Sequence, residues 1–80
     1  MPRFRLHHRH EPGECAASYT AWKGFQSPLR GESATSSCRQ GDHAIWWDVD
    51  APDAAAALRL LPRYVAVRTQ ATRVTSVAIP

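Results

Sequence analysis

The segment RLHHRHEPGEC, residues 5–15, concentrates side chains that bind transition metals. It holds three histidines and one cysteine within eleven residues. Imidazole nitrogen and thiolate sulfur are the ligands that Zn, Ni and Cu prefer, whereas Mg and Ca prefer oxygen. A His-x-His pair on a strand places both rings on one face, at backbone positions about 7 Å apart. The pair His8 and His10 therefore predicts the start of a metal site.

Three more residues of ligand type follow, namely Cys15, Cys38 and His43. The chain has no CxxC pair, so the spacing typical of a zinc ribbon is missing. The two cysteines fit free thiols, a disulfide or metal ligands, and the sequence leaves these possibilities open. Cys15 also fits an apolar helical stripe with Tyr19 and Trp22, and the histidines fit a solvated strand end. The elements that carry these residues decide whether they meet.

The first elements are a predicted strand at 3–10 and a predicted helix at 12–24. In RFRLHHRH, Phe4 and Leu6 alternate with charged residues, and this period of two is typical of a strand whose apolar face covers a core. The next segment opens with a proline, which suits a first helical turn, and Gly24 is a natural end.

The second half repeats the order of strand and helix. Segments 33–38 and 43–49 flank the turn RQGD and predict a hairpin. A helix is predicted after it, with Asp50 as the N-cap of DAPDAAAALRLL. Residues 63–71 fit either a short helix or an extended connector, and the β-branched segment 72–79 predicts a final strand.

The resulting βαββαβ order predicts an α+β, ferredoxin-like domain over residues 1–80. Right-handed crossovers give an antiparallel sheet in the order 4-1-3-2, with both helices on one face. The end of strand 1, the start of helix 1 and the hairpin then lie at the same end of the sheet. We therefore expect a metal site that draws on the following residues: His8, His10, Cys15, Cys38 and His43.

The sheet face without helices carries a second group, Arg5, His7, Trp46 and Asp48. An exposed indole on a sheet predicts that something covers it. A second subunit could pack there and give a homodimer. The covered face could also enclose a small-molecule cleft, with Trp46 as a wall and His7 and Asp48 as proton-transfer groups. The two interpretations are compatible.

Composition excludes several classes of function. The formal net charge is +3, but the basic residues are scattered and form no run, which does not favour nucleic-acid binding. No apolar stretch approaches transmembrane length, and MPRFRLHHRH lacks the apolar region of a signal peptide, so we expect a cytoplasmic protein. A chain of 80 residues has a small core and often needs a disulfide, a metal or a partner subunit.

The strand and acid-capped alanine helix of HAIWWDVDAPDAAAALRLLP, residues 43–62, together with the element order and length, resemble the dimeric α/β-barrel superfamily. That group includes muconolactone isomerases, small monooxygenases and short actinobacterial nickel-binding proteins. The resemblance implies a homodimer formed through the open sheet face, with a small hydrophobic ligand in the barrel or a metal near the histidines. No catalytic motif is matched, so no family active-site residue is carried over.

The leading hypothesis is a cytoplasmic, homodimeric protein that binds Ni, Zn or Cu. The competing hypothesis is a cofactor-free isomerase-like or monooxygenase-like enzyme, or a protein that binds a small ligand through its open face. A purely structural or interaction module is the third. The sequence does not decide whether the chain is an enzyme, because fold-level likeness does not fix function.

Overall fold

The computed structural model describes residues 1–80 and contains one four-stranded antiparallel sheet with short helices. No helix is long and apolar enough to cross a lipid bilayer. The predicted α+β class is confirmed. The elements are β1 (Arg3–Arg9), α1 (Cys15–Thr20), β2 (Thr35–Ser36), β3 (Ala44–Asp50), α2 (Ala54–Leu58), α3 (Arg63–Ala66) and β4 (Thr69–Val74), with 3-10 helices at Pro12–Glu14 and Cys38–Gln40.

The strands lie in the order β2-β3-β1-β4, which reads 4-1-3-2 from the β4 edge. β1 is central and pairs with β3 along its whole length, so that Arg5 lies opposite Asp48 and His7 lies opposite Trp46. β2 pairs only through Thr35 and Ser36. The outer edge of β3 beyond Trp46 therefore has no strand beside it.

One face of the sheet carries the hydrophobic core. Leu6 is fully buried there, and the period-two pattern correctly placed Phe4 and Leu6 on this face. Helices α2 and α3 cover it with small and branched side chains, which lets them approach the sheet closely. The buried core consists of Phe4, Leu6, Val49, Ala51, Ala57, Leu61 and Val65.

The helix predicted from Asp50 starts later than expected. Asp50 is the last residue of β3, and Asp53 is the N-cap, with its side chain accepting a hydrogen bond of 2.7 Å from the Ala56 N–H. The prediction of Asp50 was wrong because DAPD contains two acidic residues that both suit a cap. The pairing of β3 with β1 out to Arg3 keeps Asp50 extended.

The other predicted boundaries shift for similar reasons. The helix expected over 12–24 is a 3-10 turn followed by only six residues of α-helix, and Tyr19 is 53% exposed, so no buried stripe lengthens it. The last strand begins at Thr69, because β1 pairs with Thr69–Val74. The strand ends at Val74, because Val74 lies opposite Arg3, the first residue of β1. Residues 63–71 contain α3 and the start of β4.

Candidate metal centre

Four side chains meet at one end of the sheet, on its helix-covered side. One ligand atom from each of His10, Cys15, Cys38 and His43 lies within 4.8 Å of the other three. The Cys15 Sγ is 3.2 Å from the His10 Nε2 and 3.0 Å from the His43 Nδ1. The Cys38 Sγ is 3.5 Å from the same His10 Nε2. These four residues could hold a metal ion.

Each of the four residues stands at the boundary of a different element. His10 follows β1, Cys15 begins α1, Cys38 begins the second 3-10 helix, and His43 immediately precedes β3. The antiparallel pairing of β1 and β3 continues past the strands, since the His10 N–H donates to the His43 carbonyl at 3.2 Å. The topology thus brings together four of the five residues predicted as ligands.

The spacing of the group fits a four-coordinate ion. With Zn–S bonds of about 2.3 Å and Zn–N bonds of about 2.0–2.1 Å, adjacent ligand atoms of a tetrahedral site are about 3.3–3.8 Å apart. A planar arrangement would bring adjacent ligands to roughly 2.9–3.3 Å with the same bond lengths. The contact of 3.5 Å lies in the tetrahedral range and those of 3.0 and 3.2 Å lie in the planar one, while other ligand atoms are up to 4.8 Å apart. Side-chain movements of about 1 Å or less would bring the four atoms to either geometry. Two nitrogens and two sulfurs match Zn, Ni and Cu rather than Mg or Ca.

The backbone at His43 is unusual. His43 has φ 51°, and it is the only residue other than glycine with a positive φ. This left-handed region costs an ordinary residue of order 1 kcal/mol or more, and such strain gathers at ligand sites. Gly41, at φ 91°, ends the preceding 3-10 helix and allows the turn. The strained turn lets the His43 ring face Cys15.

His8 lies behind the group rather than in it. Its ring is fully buried, and its Nε2 is 3.0 Å from the Nδ1 of His10. Its Nδ1 lies 3.3 Å from the Val65 carbonyl oxygen and 3.2 Å from the Thr69 Oγ1. Both ring nitrogens are therefore engaged, so His8 contacts His10 from behind and is not one of the four residues that could hold a metal. The sequence pattern put both rings on one face but could not separate these roles.

Burial prepares the group for a metal that needs neutral imidazole. Desolvation lowers the pKa of His10, and the positive charge of nearby His43 in its protonated form lowers it further. Desolvation raises the pKa of the Cys15 thiol, with Cys38 acting in the same direction. A metal that binds here must therefore displace thiol protons while it meets neutral imidazole.

Several supporting contacts escaped the sequence analysis. The Glu14 carboxylate accepts hydrogen bonds from the Tyr64 hydroxyl at 3.1 Å and from the Arg68 Nε at 3.2 Å, and it also accepts from the Glu11 N–H. That backbone N–H is the main cause of the lowered pKa of Glu14. Only the local Glu11–Glu14 spacing carried a signal, because Tyr64 and Arg68 lie about fifty residues away. These contacts fix the turn that leads into Cys15.

The opposite face of the sheet holds the second predicted group as two separate pairs. Arg5 donates two hydrogen bonds to Asp48, at 2.8 and 3.0 Å, and His7 stacks on Trp46 with 5.1 Å between ring centroids. The His7 Nε2 is buried without a hydrogen-bond partner. A cleft of about 710 Å³ opens beside these pairs, lined by Arg5, Leu29, Glu32, Ser33, Ala34, Thr35, Trp46, Trp47 and Asp48. His7 does not line it.

The Arg5 pair defines what Asp48 can do. Its hydrogen bonds to Arg5 hold the pKa of the Asp48 carboxyl below the usual range. Asp48 is therefore ionised at neutral pH and accepts hydrogen bonds without donating a proton. This environment suits an anchoring role better than general acid catalysis.

Asp48→Asn is expected to lower stability at neutral pH and to have no effect in strong acid. The folded-state pKa of Asp48 is lowered, so its contribution exists above the unfolded pKa and is lost as pH falls through the folded value. Because the pair is partly exposed, we expect a loss below about 1 kcal/mol at pH 7. Urea unfolding of both proteins at pH 7 and near pH 2.5 measures it. A difference that stays constant between the two pH values would contradict the assignment.

The structure thus gathers the residues predicted to be functional in two places, the open sheet face and the group of His10, Cys15, Cys38 and His43. Comparisons with protein-family models, with curated proteins and with solved structures find no significant match to this chain. What each place can do follows from its own geometry.

Proposed function

We propose that the protein binds one transition-metal ion through His10, Cys15, Cys38 and His43. The observation that carries the proposal is the convergence of these four ligand atoms within 4.8 Å. Zn²⁺ is the ion we expect, because two cysteines and two histidines form a common closed zinc set. Ni and Cu accept the same atoms and are tested in the same experiment.

The metal has a structural role in this proposal. All four positions are filled by protein side chains, and a site without an open position is typical of structural rather than catalytic zinc. The ion would link the end of β1, the start of α1, the second 3-10 helix and the start of β3. A chain of 80 residues has few other means of fixing these segments.

Native mass spectrometry and elemental analysis of untagged protein test this proposal. We expect one metal ion per chain after expression in medium supplied with Zn, Ni and Cu. The double variant Cys15→Ser/Cys38→Ser is the matched control, because it keeps similar volumes and removes both thiols; it should carry no metal. Wild-type protein that stays metal-free after incubation with each ion would refute the site.

The thiols also bear on where the protein works. Cys15 and Cys38 are both free, and each is partly exposed. Thiolate ligands survive in a reducing compartment, whereas oxidising compartments favour disulfides. We therefore propose a cytoplasmic location, in which the two cysteines remain available to the metal.

We further propose that the domain is ferredoxin-like and forms a homodimer through the open sheet face. The strand order and the placement of α2 and α3 on one face support the first point. The half-exposed Trp46 and the His7 stacked on it support the second. Native mass spectrometry should show a dimer that Trp46→Arg dissociates, while a monomeric wild type would contradict it.

The alternative function, a small-ligand-binding or isomerase-like protein, is supported by one observation. The cleft beside β3 is lined by three of the four residues predicted for a ligand site, Arg5, Trp46 and Asp48. Screening of small aromatic compounds by Trp fluorescence tests it. A dimer in which the two open faces pack without a cavity would argue against this alternative.

A further inference from the structure

His8 is a fully buried polar residue in contact with His10, one of the four proposed ligands. Packing alone does not explain why a histidine occupies this position. An imidazole in this position costs desolvation energy unless its nitrogens find partners. Both nitrogens do find them, on opposite sides of the ring. The partners are of different kinds, and this difference determines where the ring proton sits.

The Nδ1 of His8 must carry a proton. One neighbour, 3.3 Å away, is the Val65 carbonyl oxygen, which can only accept. The other is the Thr69 hydroxyl, 3.2 Å away, which donates its own hydrogen to the same carbonyl in a short bond of 2.7 Å. The Thr69 oxygen therefore offers His8 a lone pair. Two acceptors face this nitrogen, and only an N–H satisfies them.

The opposite nitrogen of His8 must then accept. A ring protonated at both nitrogens would place a full charge in a completely buried position, with no carboxylate among its hydrogen-bond partners. The Nε2 of His8 is thus a lone pair, and the Nδ1 of His10, 3.0 Å away, donates to it. Neutral His10 has one ring proton, so its Nε2 is left free. That atom faces the Cys15 and Cys38 sulfurs.

We propose that His8 is a positioning residue that fixes the tautomer and orientation of His10, so that the His10 Nε2 lone pair always points at the metal. The chain of hydrogen bonds runs from the Val65 carbonyl through His8 to His10. This inference rests on the proposed metal-binding function. Partners of this kind, which bind the second nitrogen of a ligand histidine, change metal affinity by about 10–100-fold when removed.

Two substitutions separate the hydrogen bond from the packing. His8→Leu fills the site with an apolar side chain and leaves the His10 N–H without an acceptor. His8→Gln places an amide oxygen near the former Nε2 and restores an acceptor. His7→Leu is the matched control, because His7 lies on the same strand but faces the opposite side of the sheet.

The experiment measures Zn²⁺ affinity by competition with a chromophoric chelator, together with the tautomers of His8 and His10 by long-range ¹H–¹⁵N NMR of the Zn²⁺ protein. We expect His8→Leu to weaken Zn²⁺ binding about 10–100-fold, His8→Gln to recover most of the loss, and His7→Leu to bind like wild type. In the wild-type spectrum the His8 proton should sit on Nδ1, which leaves the His8 Nε2 as an acceptor. The His10 Nδ1 proton should exchange slowly with water in wild type and faster in His8→Leu.

The possible failures are distinguishable. Wild-type protein that binds no Zn, Ni or Cu overturns the proposed function and this inference with it. Zn²⁺ affinity unchanged in a folded His8→Leu variant overturns the positioning role alone. If His8→Leu does not fold, the wild-type spectrum still decides, because a His8 ring with its proton on Nε2 cannot accept the His10 N–H and would overturn the proposal.

Discussion

Stripping the metal with a chelator is expected to lower the midpoint of thermal unfolding by roughly 15–30 °C. An ion that binds only the folded state contributes about 4 kcal/mol when its free concentration is a thousand times its Kd. In a domain of this size each kcal/mol shifts the midpoint by about 4–8 °C. The effect is large because the four ligands come from four separate segments, and removal of the ion breaks the link between all of them at once.

Circular dichroism during heating, with and without chelator, measures this effect. The Cys15→Ser/Cys38→Ser variant should unfold at the same temperature under both conditions, near that of the metal-free wild type. This control separates loss of the ion from any direct action of the chelator. A wild-type midpoint that does not respond to chelator, in protein shown to contain metal, would mean that the ion is not structural.

Cys38→Ser is expected to weaken Zn²⁺ binding by about 10²–10³-fold. Four ligands of a structural zinc site share about 10–16 kcal/mol, so a single ligand is worth roughly 2.5–4 kcal/mol. Cys38 is a sensitive position, because its sulfur lies 3.5 Å from the His10 Nε2 and accepts a long hydrogen bond from the Tyr19 hydroxyl at 3.7 Å. The serine hydroxyl keeps the volume but does not supply a thiolate.

Chelator competition gives the affinity, and the visible absorption of the Co²⁺ protein reports the ligand change. We expect the sulfur-to-Co²⁺ charge-transfer absorption of Cys38→Ser to have the intensity of one thiolate ligand, and that of wild type to have the intensity of two. Tyr19→Phe is the matched control, since it removes only the hydroxyl that contacts Cys38. An unchanged Co²⁺ spectrum in Cys38→Ser would show that this cysteine is not a ligand.

Local patterns predicted much of the fold and part of the site. The alternation in RFRLHHRH placed Phe4 and Leu6 on the core face, and the order of elements predicted an antiparallel α+β sheet. The same order implied that the end of β1 and the start of β3 lie together. That inference brought His10 and His43 to one place without any motif that links them.

The remaining features depend on contacts that no local pattern contains. His8 was predicted as a ligand because its residue type and face match those of His10. Its place outside the four-residue group follows from its contacts with Val65 and Thr69, in a segment whose pattern fitted both a helix and a connector. The ends of β4 also depend on distant residues, because β4 covers only the residues that pair with β1.

The short β2 strand has a consequence for how the protein behaves at high concentration. Trp47–Asp50 of β3 present backbone groups along an outer edge that no strand pairs, and the loop over residues 25–34 makes no backbone hydrogen bond to it. Such an edge is a template for intermolecular strand pairing and fibril growth, and natural proteins protect it with charge. Asp48 and Asp50 supply that charge here, in ion pairs with Arg5 and Arg3, so substitutions that neutralise both aspartates would leave this edge free to pair with another chain.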